Sequence, residues 1–223
     1  MTMNSQPDLN SHASKRDTSK THTRILNAAV EIFTRHGYAG ASTKSIAERA
    51  GVSEPTVFRH FGSKINLFIS VVEHYSLLAE LHHIITEHLT GHLRYDLEQI
   101  GWLYLNMVID KRKGMLMILN EAEHIPEAKK ASTHILRQIC RSLAVYFRGQ
   151  IRAGQMRDLD VEWMSQAFLG MLFAYGISHN LLSGHLGPNL LPEEIVARFV
   201  DIFLAGTTLA KETADGTLRM GLA

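Results

Sequence analysis

From Thr21 the apolar side chains return at Ile25, Ala28, Ala29, Ile32 and Phe33, the stripe of an amphipathic helix. Gly37 is expected to end it, because glycine accepts the left-handed conformation that follows a helix C-terminus. A shorter helix starts near Ser42 or Thr43, either able to cap it, and carries Ile46, Ala47 and Ala50 before Gly51 stops it. Ser53 offers the next cap and Pro55 sits in a first turn, where its missing N–H costs nothing. The third helix turns Val57, Phe58 and Phe61 inward and ends at Gly62. A fourth begins at Lys64 behind Ser63, with Leu67, Phe68, Val71, Val72 and Tyr75 on one side.

The remainder also reads as helices, divided by turn signals at Gly91, Gly114, Pro126, Gly154 and between Gly184 and Pro192. Pro192, Glu193 and Glu194 form a favourable helix start. No sustained alternation of apolar and polar residues suggests a strand, so the predicted fold class is all-α. Residues 1–20 are polar and too poor in large apolar groups to offset ordering entropy, so they are expected to be a disordered tail. The residues from 213 to 223 lack periodicity and are expected to fray.

Charge changes this picture. Through Ser70, nine basic residues face five acidic ones, a net +4 in a chain whose total is +1, so the rest carries −3. A basic end on a mildly acidic body suits a head that binds a polyanion. With 223 residues the chain can bury a real core, so stability demands neither metal nor disulfide. Cys140 is the sole cysteine and fits a reducing compartment. No apolar secretory segment is visible at the N-terminus, and Phe168 to Ile177 is too short to span a bilayer, so a cytoplasmic protein is expected.

Two short helices joined at Gly51-Val52-Ser53 have the spacing of a helix-turn-helix, in which one helix braces against DNA and the next enters the major groove. The stretch from Arg24 to Phe68 goes further. Ile25-Leu26-Asn27-Ala28-Ala29, Phe33, Gly37-Tyr38, Ser42-Thr43, Ile46-Ala47, Ala50-Gly51-Val52-Ser53, Thr56-Val57-Phe58-Arg59-His60-Phe61, Ser63-Lys64 and Leu67-Phe68 occur in order without a gap. This run resembles the DNA-binding domain of the tetracycline-repressor (TetR) family. It covers about 45 residues, and the body matches that family by helical character and length alone.

The resemblance implies a three-helix DNA-binding domain over 21–68 and a larger helical effector-binding and dimerisation domain over 69–212. It makes Glu54 to Phe61 the recognition helix, presenting Glu54, Pro55, Thr56, Arg59 and His60. Arg59 can donate two hydrogen bonds to guanine, and Thr56 can reach a phosphate or a thymine methyl. Phe58 either packs on sugar and phosphate or completes the small core. Lys64, Thr43 and Lys44 lie beside helix N-termini suited to phosphate. Glu54 is awkward near phosphates, and either accepts from cytosine N4 or faces away. Lys15, Arg16 and Lys20 form either a DNA-contacting arm or a solubilising tail.

One head offers few base contacts, so two copies are expected to read operator double-stranded DNA as a homodimer. Ala167, Gly170 and Ala174 space small residues along one helix, and Phe199 and Phe203 follow on the next, giving the candidate dimer interface. Trp102, Tyr104, Met107, Met115, Met117, Trp163 and Met171 supply aromatic and thioether surface for a small, apolar or aromatic effector. No cofactor is implied and no metal ligand set is complete. The sharper alternative is a metal sensor using His82, His83, His88 and His92. An all-helical enzyme is the other; no nucleophile elbow, phosphate loop or paired-carboxylate context supports it.

Overall fold

The computed structural model describes residues 9–76, 78–85, 89–178 and 190–209. The helices among them are α1 (Leu9–Gly40), α2 (Thr43–Ala50), α3 (Glu54–Phe61), α4 (Lys64–His74), α5 (Leu78–His83), α6 (Leu93–Asp110), α7 (Arg112–Ala122), α8 (Pro126–Arg152), α9 (Val161–Ser178) and α10 (Pro192–Thr207). The fold is all-α: among the described residues the sole β feature is one isolated bridge, Met156 to Thr208.

The chain divides into two compact units. The first holds the described residues before 77 together with Asp110–Arg137; the second holds Leu78–Ile109 and the described residues from Gln138 onward. This differs from a division between 68 and 69, because α7 and the first part of α8 return to the N-terminal unit. Periodicity marks which face of α7 is apolar but not which core receives it. Ile118 of α7 and Ala128 of α8 are buried in the same cluster as Ile25, Phe33, Ile46, Val57 and Phe68. The Phe33 and Phe68 rings meet edge to face with centroids 5.0 Å apart, the arrangement their quadrupoles favour.

Three expectations are corrected here. Helical structure extends back to Leu9, where a disordered tail was expected; α1 continues without interruption from the polar segment into the apolar stripe. Gly114 marks no turn, because it lies buried within α7 with the ring of Tyr75, the residue that follows α4, occupying the space a side chain would need. Phe203 is buried in its own chain, 5% exposed, between Phe147 at 5.5 Å and Phe168 at 5.2 Å. It is therefore unavailable to a partner. Gly37 does break α1 as expected, with φ 68°. Residues 213–223 lie outside the described residues.

The second unit is held by close helix approaches. A Cβ at Gly101 would lie 2.8 Å from Val196, and one at Gly176 would lie 2.6 Å from Val108, so both glycines let α6 pack tightly on its neighbours. Asp96, 0% exposed, accepts from the Thr90 amide (2.9 Å), the Thr90 hydroxyl (2.8 Å), the Gly91 amide (3.0 Å) and the Tyr146 hydroxyl (3.0 Å). Four donors satisfy a carboxylate that would otherwise be costly to bury. Desolvation, and then the charge of Asp96, hold the Tyr146 phenol protonated far above its ordinary range.

Candidate nucleic-acid interface

The recognition element is built from caps. Ser42 and Ser45 close a reciprocal capping box at α2, the Ser45 amide donating to Ser42 Oγ at 3.0 Å. At the other end Gly51 adopts φ 65°, and the guanidinium of Arg24 donates to the carbonyls of Ala50 (2.5 Å) and Gly51 (3.0 Å). A cation set on the last carbonyls of a helix is favoured by their partial negative charge. Ser53 then leads into α3 with Pro55 in its first turn, and Val57 and Phe61 anchor that helix in the core. Arg49 pairs with Glu31 at 2.7 Å and ties α2 to α1.

Of the expected DNA-contact residues, Lys44, Pro55, Phe58 and Arg59 are exposed, while Thr43, Glu54, Thr56, His60 and Lys64 are half-buried. Phe58 is 45% exposed on the outer side of α3, which removes it from the core. Glu54 accepts from the Thr43 hydroxyl at 2.5 Å and sits in the first turn of α3, where the helix dipole favours a carboxylate. Its place on α3 thus has an internal reason. Ser53 Oγ and Thr56 Oγ1 lie 2.9 Å apart and share one hydrogen, leaving the other hydroxyl hydrogen free to donate. Burial, then Arg59 and His22, hold the His60 imidazole below its ordinary pKa. The ammonium of Lys64 stands 4.4 Å from the centroid of the Tyr38 ring. Burial lowers its pKa, with the charge of Glu121 acting the other way.

The expected effector residues are divided between the two units. Met115 and Met117 lie on α7 in the first unit; Trp102, Tyr104, Met107, Trp163 and Met171 lie on α6 and α9 in the second. Tyr104 and Met107 are buried, but Trp163 is 69% exposed, and Trp102 is exposed with its indole N–H donating to Glu193 at 2.9 Å. A surface depression of about 460 Å³ near Arg148, Asp158, Asp160 and Glu162 contains none of the seven. On α9, Ala167, Gly170 and Ala174 are exposed, and nothing lies within 4 Å of a Cβ placed on Gly170. Phe199 is half-buried against Tyr175, with centroids 6.0 Å apart. Composition alone could not separate the outward side of α9 from its core side. His83 and His92 are exposed, the side chain of His82 is not described, and His88 lies outside the described residues.

A bundle whose second helix is capped at both ends and whose third, joined to it by a short turn, carries an arginine on its outer side defines a helix-turn-helix DNA-binding regulator. The comparisons agree. The model for bacterial regulatory proteins of the TetR family matches residues 25–71, and that for the C-terminal domain of AefR-like transcriptional repressors matches residues 95–206. The chain belongs to the TetR family of transcriptional regulators. The HTH-type transcriptional regulator YvkB of Bacillus subtilis is 27% identical over 197 residues, covering 83% of this chain and 96% of that one. The HTH-type transcriptional repressor AcnR of Corynebacterium glutamicum is 32% identical over 42% of this chain and 51% of its own. Among solved structures, the transcriptional regulator FadR from Bacillus subtilis, in complex with stearoyl-CoA, superposes with a TM-score of 0.68 at 18% identity. It covers 82% of this chain and 98% of FadR, and shows likeness of fold. Among the described residues no helix is long and apolar enough to cross a membrane.

Proposed function

We propose that this chain is a homodimeric repressor whose two heads hold operator half-sites and release them when a small, apolar or aromatic effector binds the C-terminal unit. The observation that carries the reading is the outer side of α3, where Arg59 is exposed above a helix anchored by Val57 and Phe61. An arginine so placed can read guanine in the major groove, while Lys44 and Lys64, at the starts of α2 and α4, meet phosphates. The exposed stripe of Ala167, Gly170 and Ala174, with Trp163 on the same helix, supports pairing of two copies. An apolar effector is supported by the acyl-CoA bound to the FadR neighbour and by the buried Tyr104 and Met107. Such an effector acts only through a difference in affinity for two arrangements, of about 1–3 kcal/mol.

The test begins with duplexes selected by the purified protein from a random pool. On the selected site, Arg59→Ala is expected to cost about 1–3 kcal/mol and relax base preference, whereas Lys64→Ala weakens all sequences alike and reduces the salt slope by about 1. If Arg59→Ala keeps both affinity and preference, α3 does not read the bases.

A further inference from the structure

Glu121 stands near the end of α7, 83 residues from Tyr38, yet its Oε1 accepts from the Tyr38 amide at 2.9 Å. The site is made for that contact. Gly37 adopts φ 68°, and a Cβ there would come within 2.9 Å of the same oxygen, so any other residue would crowd the carboxylate. The Tyr38 ring held by this turn lies 5.2 Å from Phe68 and 5.9 Å from Phe33, and beneath the Lys64 ammonium at 4.4 Å. A cation above an aromatic face is attracted to it, so the position of Lys64 depends on the ring.

We infer that Glu121 is a positioning residue for operator binding: it fixes the Gly37–Tyr38 turn, the turn fixes the Tyr38 ring, and the ring sets Lys64 toward the DNA backbone. The inference rests on reading Lys64 as a phosphate contact. Two alternatives give different signs. If Glu121 acted only by its charge, which lies near Lys64 and repels phosphate, removing that charge would tighten binding. If it only stabilised the fold, the folded variant would bind like the wild type.

Operator affinity of the full chain on a selected duplex separates these. Glu121→Gln keeps an acceptor for the Tyr38 amide and loses the charge, so it is expected to bind within about two-fold of wild type or tighter. Glu121→Asp keeps the charge but is one methylene shorter, and Glu121→Ala loses both. Each of these two is expected to weaken binding roughly ten-fold, the scale of one hydrogen bond to a charged group. On a Lys64→Ala background the same changes should cost little more, since the residue they position is gone. Hydrogen exchange in α4 and α7 checks that every variant is folded. Glu121→Asp at wild-type affinity, Glu121→Gln as weak as Glu121→Asp, or losses that multiply on the Lys64→Ala background would each overturn the inference. A wild type insensitive to Lys64→Ala would instead remove the phosphate contact on which it rests.

Discussion

Replacing Gly114 by alanine is a change whose sign the packing decides. In an exposed helix interior, glycine to alanine stabilises by about 1 kcal/mol, because the unfolded glycine has more freedom to lose. At Gly114 the new Cβ would overlap three atoms of the Tyr75 side chain: Cζ, Cε1 and the hydroxyl oxygen. Both Gly114 and Tyr75 lie in the first unit, and the half-buried ring of Tyr75 must shift for the new Cβ to fit. Overpacking of a tight site costs about 1–3 kcal/mol, and an overlap this deep belongs at the upper end. About 2 kcal/mol of net destabilisation remains, or on the order of 10 °C in the melting temperature of a unit near 100 residues. Tryptophan fluorescence would miss it, because Trp102 and Trp163 both belong to the second unit. Hydrogen exchange of peptides from α4 and α7 reports the right region, and faster exchange there is expected. Adding Tyr75→Leu should restore much of the loss. A Gly114→Ala protein that exchanges more slowly than wild type would refute the packing of Tyr75 on α7.

Two further outcomes follow from buried and titrating groups. Asp96→Ala leaves the Tyr146 hydroxyl without its acceptor and is expected to cost about 2–4 kcal/mol; Tyr146→Phe in the same chain should recover part of it, and simple additivity in urea titrations would count against the contact. For His60, the folded pKa lies below the ordinary 6.5, so its contribution to stability is complete above about that pH and is lost as the pH falls through the folded value. His60→Gln should therefore flatten the decline in melting temperature between pH 7 and 5, and an unchanged decline would discount the role of burial and of Arg59 and His22.

The helix-turn-helix was legible because its limits are set locally. Ser42, Gly51, Pro55, Gly62 and Ser63 each act on the backbone within a few residues, and the helices begin and end beside them; Ser53 stands at the start of α3, but its hydroxyl meets Thr56 Oγ1 and not the backbone amide that a cap would take. What stayed hidden depends on distant partners. Gly114 carries the same letter as the turn glycines, yet its reason is the ring of Tyr75, 39 positions earlier in the chain. Phe203 and the exposed Ile202 are adjacent apolar residues of α10, and only packing against Phe147 and Phe168 assigns one to the core. Glu121 gave no pattern at all. The aromatic and thioether residues of α6, α7 and α9 share a chemical type, and type does not encode which of two cores a helix joins.

The bonds of Arg24 to two carbonyls, and of Arg35 and Arg49 to Glu31, divide the positive charge of the head into two accounts. Those three guanidiniums serve as internal fasteners; among the described side chains Lys20, Lys44 and Arg59 form no ion pair, and Lys64 lies near the charge of Glu121 without a salt bridge to it. Among the described side chains, it is the second group that is ready to displace condensed cations from a duplex; the side chains of Lys15 and Arg16 are not described. With about 0.9 ion released per phosphate neutralised, a head would show a logarithmic salt dependence of about 3 to 4, well below what its total of basic residues suggests. Much of its electropositive character is thus internal mortar, and its grip on nucleic acid leans correspondingly on fit.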